Sequence, residues 1–135
     1  VLNFKHNFNK WVPAILWGLF ISWATLKPST YSNFNIPAWA TSLHLDKWVH
    51  FGFWFIWTWL FLKKVNPTGF YICISVVFFS AYGGLIEFLQ DFMNLGRTAD
   101  FWDWIADTLG ALIAVANMYF FKSKKRPAKA SLFRY

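Results

Sequence analysis

An all-α integral membrane protein, a bundle of four transmembrane helices with both termini cytoplasmic, is the architecture this sequence predicts. Three observations carry the prediction. Hydrophobic residues make up 57% of the 135 residues, and the ten Trp and seventeen Phe exceed what one small soluble core can enclose. Charged residues are only 14%, with a mean hydropathy of +0.34, where an ordinary globular chain carries roughly 25% charged residues. The apolar residues also fall into four runs of near-bilayer length, separated by polar punctuation.

The first run spans about 11–26. Pro13 sits near its start, where a helix has no partner for that N–H. Lys10 and Lys27 flank it and can snorkel to the headgroups. The run is followed by Lys27-Pro28-Ser29 without a small-x-small cleavage pattern, so it reads as a retained span rather than a signal peptide. The next stretch contains Pro28, Pro37, Asn33 and Asn35, which break a helix. Tyr31, Phe34 and Trp39 suit the membrane interface, with a short surface helix expected from Pro37 to His44.

The second span covers about 45–62 and ends at Lys63-Lys64. A short link with an Asn66-Pro67 turn signal makes spans two and three antiparallel neighbours. The third span, about 70–90, carries Ser75, Ser80, Gly83 and Gly84, small residues that admit another helix closely. A loop with Asn94 and Gly96 leads to the fourth span, about 100–121, with Thr98 or Asp100 as its N-cap. Residues 1–121 thus form the membrane domain and 122–135 a basic cytoplasmic tail.

Orientation follows from Lys and Arg. With four spans, one side holds Lys5, Lys10, Lys63, Lys64, Lys122, Lys124, Lys125, Arg126, Lys129 and Arg134. The other holds only Lys27, Lys47 and Arg97. The positive-inside rule makes the first side cytoplasmic. The same distribution accounts for the net charge of +7 without nucleic acid as a partner. Cys73 is the single cysteine. It permits neither an internal disulfide nor a Cys/His metal spacing, and reads as a small lipid- or bundle-facing residue.

Five of the six acidic residues lie between Glu87 and Gly110. The topology puts them, with Asp46, near the extracytoplasmic face. Asp46 and His50 are spaced i, i+4 on the second span, and Glu87 and Gln90 i, i+3 on the third. Asp100, Asp103, Asp107, Gly110 or Ala111, and Ala114 form one stripe on the fourth, polar at its outer end and small below. A carboxylate at membrane depth costs on the order of 2.5–3.5 kcal/mol, so these groups need partners. Lys47, Arg97 and a protonated His50 are the available cations. The excess of carboxylates calls for a protonated carboxyl, a metal ion or a cationic ligand.

The motifs D-K-x-x-H-F (Asp46, Lys47, His50, Phe51), G-x-x-x-E-x-x-Q (Gly83, Glu87, Gln90) and G-R-x-x-D-x-x-D-x-x-x-x-x-x-G (Gly96, Arg97, Asp100, Asp103, Gly110) occur in this order. In this the chain resembles the VanZ-like membrane proteins over about 45–114. The resemblance leads one to expect Asn where Asp107 stands. It implies a small multi-pass protein of the bacterial cytoplasmic membrane, from a family named after a teicoplanin-resistance protein, but not a defined activity.

Three functional readings follow. The expected function is an outward polar pocket of Asp46, Lys47, His50, Glu87, Gln90, Arg97, Asp100, Asp103 and Asp107 that binds an envelope lipid headgroup or wall-precursor-like ligand. An anionic or zwitterionic group is preferred, held by Lys47, Arg97 and His50. A second reading makes the cluster a fold clamp in an accessory subunit that contacts other membrane proteins. A third is a divalent-metal enzyme using Asp46, His50, Glu87 and Asp103. The chain has no H-E-x-x-H, no G-x-S-x-G and no Lys/Arg/two-His phosphatase signature, so no catalytic residue is assigned and no cofactor is required. His6 and His44 lack a partner at helical spacing and read as interfacial, and the Trp residues of the second span read as facing lipid or partner helices.

Overall fold

The computed structural model describes residues 9–28, 43–65, 68–94, 96 and 98–124, the last three as backbone only. Arg97, His6, the basic tail beyond residue 124 and most of the expected surface helix lie outside the described residues.

Four helices make up the described fold: α1 Val12–Leu26, α2 Leu45–Leu62, α3 Gly69–Met93 and α4 Phe101–Lys124. Each begins or ends where local chemistry requires. Pro13 lies in the first turn of α1, where the missing N–H is not needed. His44 precedes α2 in the left-handed conformation, and Asn94 closes α3 the same way, as a C-cap position favours. Asp100 caps α4: its Oδ1 accepts the Trp102 N–H at 2.8 Å. Thr98, the other cap expected, lies three residues before the helix begins.

By length and composition, α3 and residues Phe101–Phe121 of α4 can each cross a bilayer, and α1 is a shorter apolar helix. The 18-residue α2 carries Asp46, Lys47 and His50 in its first two turns, which lowers its apolar character. Large apolar side chains such as Leu16, Leu19, Val77, Phe88 and Phe120 remain exposed around the bundle.

Contacts between helices define their directions. Trp11 meets Phe61 while Trp17 meets Phe53, so α1 and α2 run oppositely. Gly83 faces Asp107 and Glu87 faces Asp100, which makes α3 and α4 antiparallel. Lys47 meets Asp103, His50 meets Asp107 and Phe51 meets Gly110, so α2 and α4 run parallel. The four helices therefore alternate in direction, with three reversals along the chain.

The closest pairing is α2 with α4, followed by α3 with α4. The buried stripe of α4 is Ala106, Asp107, Ala111, Ala114 and Met118, following the small-residue face expected from the sequence. At Gly110 the two backbones touch: an added Cβ would collide with the Phe51 carbonyl oxygen and stand 3.0 Å from the Phe55 nitrogen. Helices α2 and α3 are neighbours as the short link requires, but large rings separate their axes. Trp57 and Phe61 meet Phe79 with ring centroids 5.0 and 5.7 Å apart.

Of the two settings expected for the Trp residues of this span, Trp54 takes the helix-facing one: it is fully buried, and its indole N–H donates to the Phe79 carbonyl of α3 at 2.8 Å. It continues the buried α2 face His50, Trp54, Thr58, Leu62, an i, i+4 row that keeps one side of the helix turned inward. Trp48, by contrast, is exposed. Cys73 is exposed too.

Candidate functional site

The polar residues of α2, α3 and α4 meet at one end of the bundle and form two tiers. The outer tier is built on Lys47. Its ammonium pairs with Asp46 Oδ2 at 2.9 Å, Asp103 Oδ1 at 2.7 Å and Asp100 Oδ2. An ammonium has three N–H donors, and three carboxylates take them. Lys47 is therefore saturated by carboxylates. The Lys47 hydrogen bond holds the carboxyl of Asp100, just ahead of α4, below the ordinary aspartate range.

The inner tier is His50, Glu87 and Asp107, with relative exposures of 6%, 5% and 0%. His50 Nδ1 and Asp107 Oδ1 lie 3.0 Å apart, and His50 Nε2 is 3.7 Å from Asp103 Oδ2. Glu87 Oε2 accepts the Asp100 backbone N–H at 2.8 Å, which locks α3 to the start of α4. The second oxygens, Glu87 Oε1 and Asp107 Oδ2, are buried and have no hydrogen-bond partner. Gly83 makes room for this tier. A Cβ there would come within 2.8 Å of Asp107 Oδ2.

The tiers redistribute the expected site. Asp46, Lys47, Asp100 and Asp103 do converge, as do His50, Glu87 and Asp107. Glu87 meets the backbone of Asp100, while Lys47 is engaged by the three aspartates. Arg97 is outside the described residues. Gln90 leaves the cluster: its amide N–H donates to the Thr25 carbonyl at 3.0 Å, at the last turn of α1, where helix carbonyls lack partners of their own. Among the described residues, two carboxylate-rich groups are compact enough to hold a cation, His50–Glu87–Asp107 and Asp46–Asp100–Asp103, with donor atoms within 4.8 Å of one another in each. The set Asp46, His50, Glu87, Asp103 expected from the sequence is thus split between them, and Asp107 completes the buried one.

A cleft of about 630 Å³ opens beside the outer tier. His44, Asp46, Lys47 and Asp100 form its polar rim, and Trp102, Ile105, Ala106 and Leu109 its apolar wall. His44 was not assigned to the site by sequence. Its spacing gives no signal, because the left-handed turn at its own backbone aims the chain there.

The fold and site define a membrane-associated helical protein with an acid-rich cluster, containing one histidine and one lysine, closed between three helices. The chain belongs to the VanZ/LLP1 family, whose model matches residues 3–122. No curated protein and no solved structure matches it.

Proposed function

We propose that the chain crosses the bacterial cytoplasmic membrane four times, with both termini inside, and binds an amine-bearing envelope lipid or lipid-linked wall precursor in the outward cleft. The alternating helix directions and the ten-to-three division of Lys and Arg support that topology. The single observation that carries the ligand reading is the rim of the cleft: Asp46 and Asp100 line it beside one ammonium, Lys47, which Asp103 also engages from outside the lining. The rim retains excess negative charge among the described residues, so its chemistry suits an ammonium headgroup. The wall from Trp102 to Leu109 suits an acyl or prenyl chain.

The test is retention of lipid by the full chain in nanodiscs of mixed composition, read by native mass spectrometry. A phosphatidylethanolamine-type lipid is retained over phosphatidylglycerol, and the Asp46→Asn, Asp100→Asn double variant loses the preference. Equal retention of both headgroups by the unaltered chain sinks the reading.

A second reading has its own observation. Lys47 ties α2 to α4, and Glu87 ties α3 to the α4 cap, which is what a fold clamp in an accessory membrane subunit requires. Under that reading Lys47→Met lowers abundance and stability, and the Asp46→Asn, Asp100→Asn variant leaves lipid selection as it was.

A further inference from the structure

We propose that His50, Glu87 and Asp107 bind one divalent transition-metal ion, of the Zn²⁺ or Mn²⁺ type, inside the bundle. This goes beyond lipid binding in the cleft and does not depend on it.

The two compact acidic groups differ in one respect. Asp46, Asp100 and Asp103 already surround a cation, the Lys47 ammonium. The inner group contains no lysine. Its carboxylates are buried, and each keeps one oxygen with no hydrogen-bond partner, Glu87 Oε1 and Asp107 Oδ2. A buried carboxylate oxygen without a donor is costly. Two such carboxylates, with oxygens within 4.8 Å of one another and of one imidazole nitrogen, offer lone pairs that a cation satisfies.

Charge and donor type then select the ion. Neutral His50 with two carboxylates carries two negative charges, and a divalent ion brings the group to zero, the cheapest state at low dielectric. A mixed nitrogen and oxygen set favours Zn²⁺ or Mn²⁺ over Mg²⁺ and Ca²⁺, which prefer all-oxygen shells. Metal–donor bonds of about 2.0–2.2 Å hold donor atoms within about 4.4 Å of each other. The three residues already offer donors within 4.8 Å of one another, close enough for side-chain rotation to bring them onto one ion.

The surroundings fit the same assignment. His50 Nδ1 faces Asp107 while Nε2 faces Asp103 at 3.7 Å. With Nδ1 as the metal ligand, the Nε2 side faces Asp103 beyond hydrogen-bond length, and a small ring rotation would let its N–H reach this carboxylate, the kind of partner that orients metal-bound histidines. The stacked Trp54 ring, with its centroid 6.1 Å from that of His50, limits the imidazole from the other side. Gly83 leaves the space that any side chain would take from Asp107.

The experiment uses the full chain in nanodiscs, stripped with chelator and reloaded with Mn²⁺ or Zn²⁺. One ion per chain is expected after dialysis, with imidazole-nitrogen coupling in the pulsed EPR spectrum of the Mn²⁺ form. Glu87→Gln and Asp107→Asn each abolish stoichiometric binding. Asp103→Asn weakens it about 10- to 100-fold, and Asp46→Asn leaves it intact. No retained ion, Mn²⁺ without nitrogen coupling, or unchanged binding in both ligand variants overturns the proposal. If the variants do not fold, the spectrum of the unaltered chain decides. A protonated-carboxyl infrared band that survives metal saturation and disappears in Glu87→Gln also overturns it, because the orphaned oxygens then share a proton.

Discussion

Gly83 lies against the Asp107 carboxyl, with its would-be Cβ 2.8 Å from Oδ2 and 3.1 Å from the Asp107 Cβ. The contact couples a residue with no side chain on α3 to the deepest charge on α4. Gly83→Ala should therefore force the carboxyl or the helix aside and destabilise the protein by about 1–3 kcal/mol, the usual range for overpacking. Gly52→Ala is the control. A Cβ at Gly52 meets nothing within 4 Å, so the change is expected to stabilise α2 by about 0.5–1 kcal/mol. Thermal unfolding in detergent measures both, and the two shifts have opposite signs.

Removing the cation of the outer tier exposes its role. Lys47→Met leaves Asp46, Asp100 and Asp103 facing one another without an ammonium. The Lys47 side chain is 21% exposed and that of Asp103 15%, between the surface and buried limits for ion pairs, so a loss of about 2 kcal/mol is expected. Combining Lys47→Met with Asp100→Asn should recover part of that loss, because one repelling charge is gone. A double-mutant cycle on thermal stability checks it.

The acid limb of stability carries a defined sign. The folded-state carboxyl of Asp100 titrates below its ordinary value of 3.8, chiefly through the Lys47 hydrogen bond. Its stabilising contribution is complete above that ordinary value and is lost as pH falls through the lower folded value. Asp100→Asn should flatten the stability–pH curve in this window and leave the neutral region parallel to that of the unaltered chain. Unfolding midpoints measured from pH 6 down to the acid limit test this.

Gln90 is expected to control the docking of α1 separately from the charged cluster. Gln90→Leu removes the hydrogen bond to the Thr25 carbonyl and should speed amide exchange in α1 while α2–α4 stay protected. An unchanged exchange profile in α1 would show that the Trp17 N–H bond to Phe53 and the Ser22–Tyr82 contact hold it alone.

Topology is checked by labelling. With exposed Cys73 replaced by serine, single cysteines at Thr98 and Ser123 should react with an impermeant reagent from opposite faces of oriented membranes. Reaction from the same face rules out the four-span arrangement.

Much of this architecture was legible in hydropathy and spacing. The helix at 45–62 was expected at those bounds. The stripe on α4 was visible because Asp103, Asp107, Ala111 and Ala114 repeat at helical spacing, and burial follows it. Convergence of α2, α3 and α4 carboxylates followed from helix order alone. Partner choice within the cluster did not, because it depends on how each helix is rotated and how deeply it is offset. Lys47 and Glu87 share an end of the bundle, yet one meets side chains and the other a backbone N–H. Gln90 lies one turn from Glu87, but the added rotation turns it to α1. Trp54 carried a usable signal, its i+4 spacing from His50, which outweighs the affinity of indole for lipid when the rest of that face is buried.

The parallel contact of α2 with α4 also bears on how the protein is made. Phe51 and Gly110 touch through their backbones, yet an entire hairpin turn and α3 lie between them in the chain. During synthesis α2 therefore leaves the ribosome with His50 and Lys47 lacking their aspartate partners on α4. Closure of the polar end waits for the last helix. Until residue 100 and beyond are made, Lys47 and His50 have none of the aspartates that this end of the finished bundle supplies from α4 and its cap.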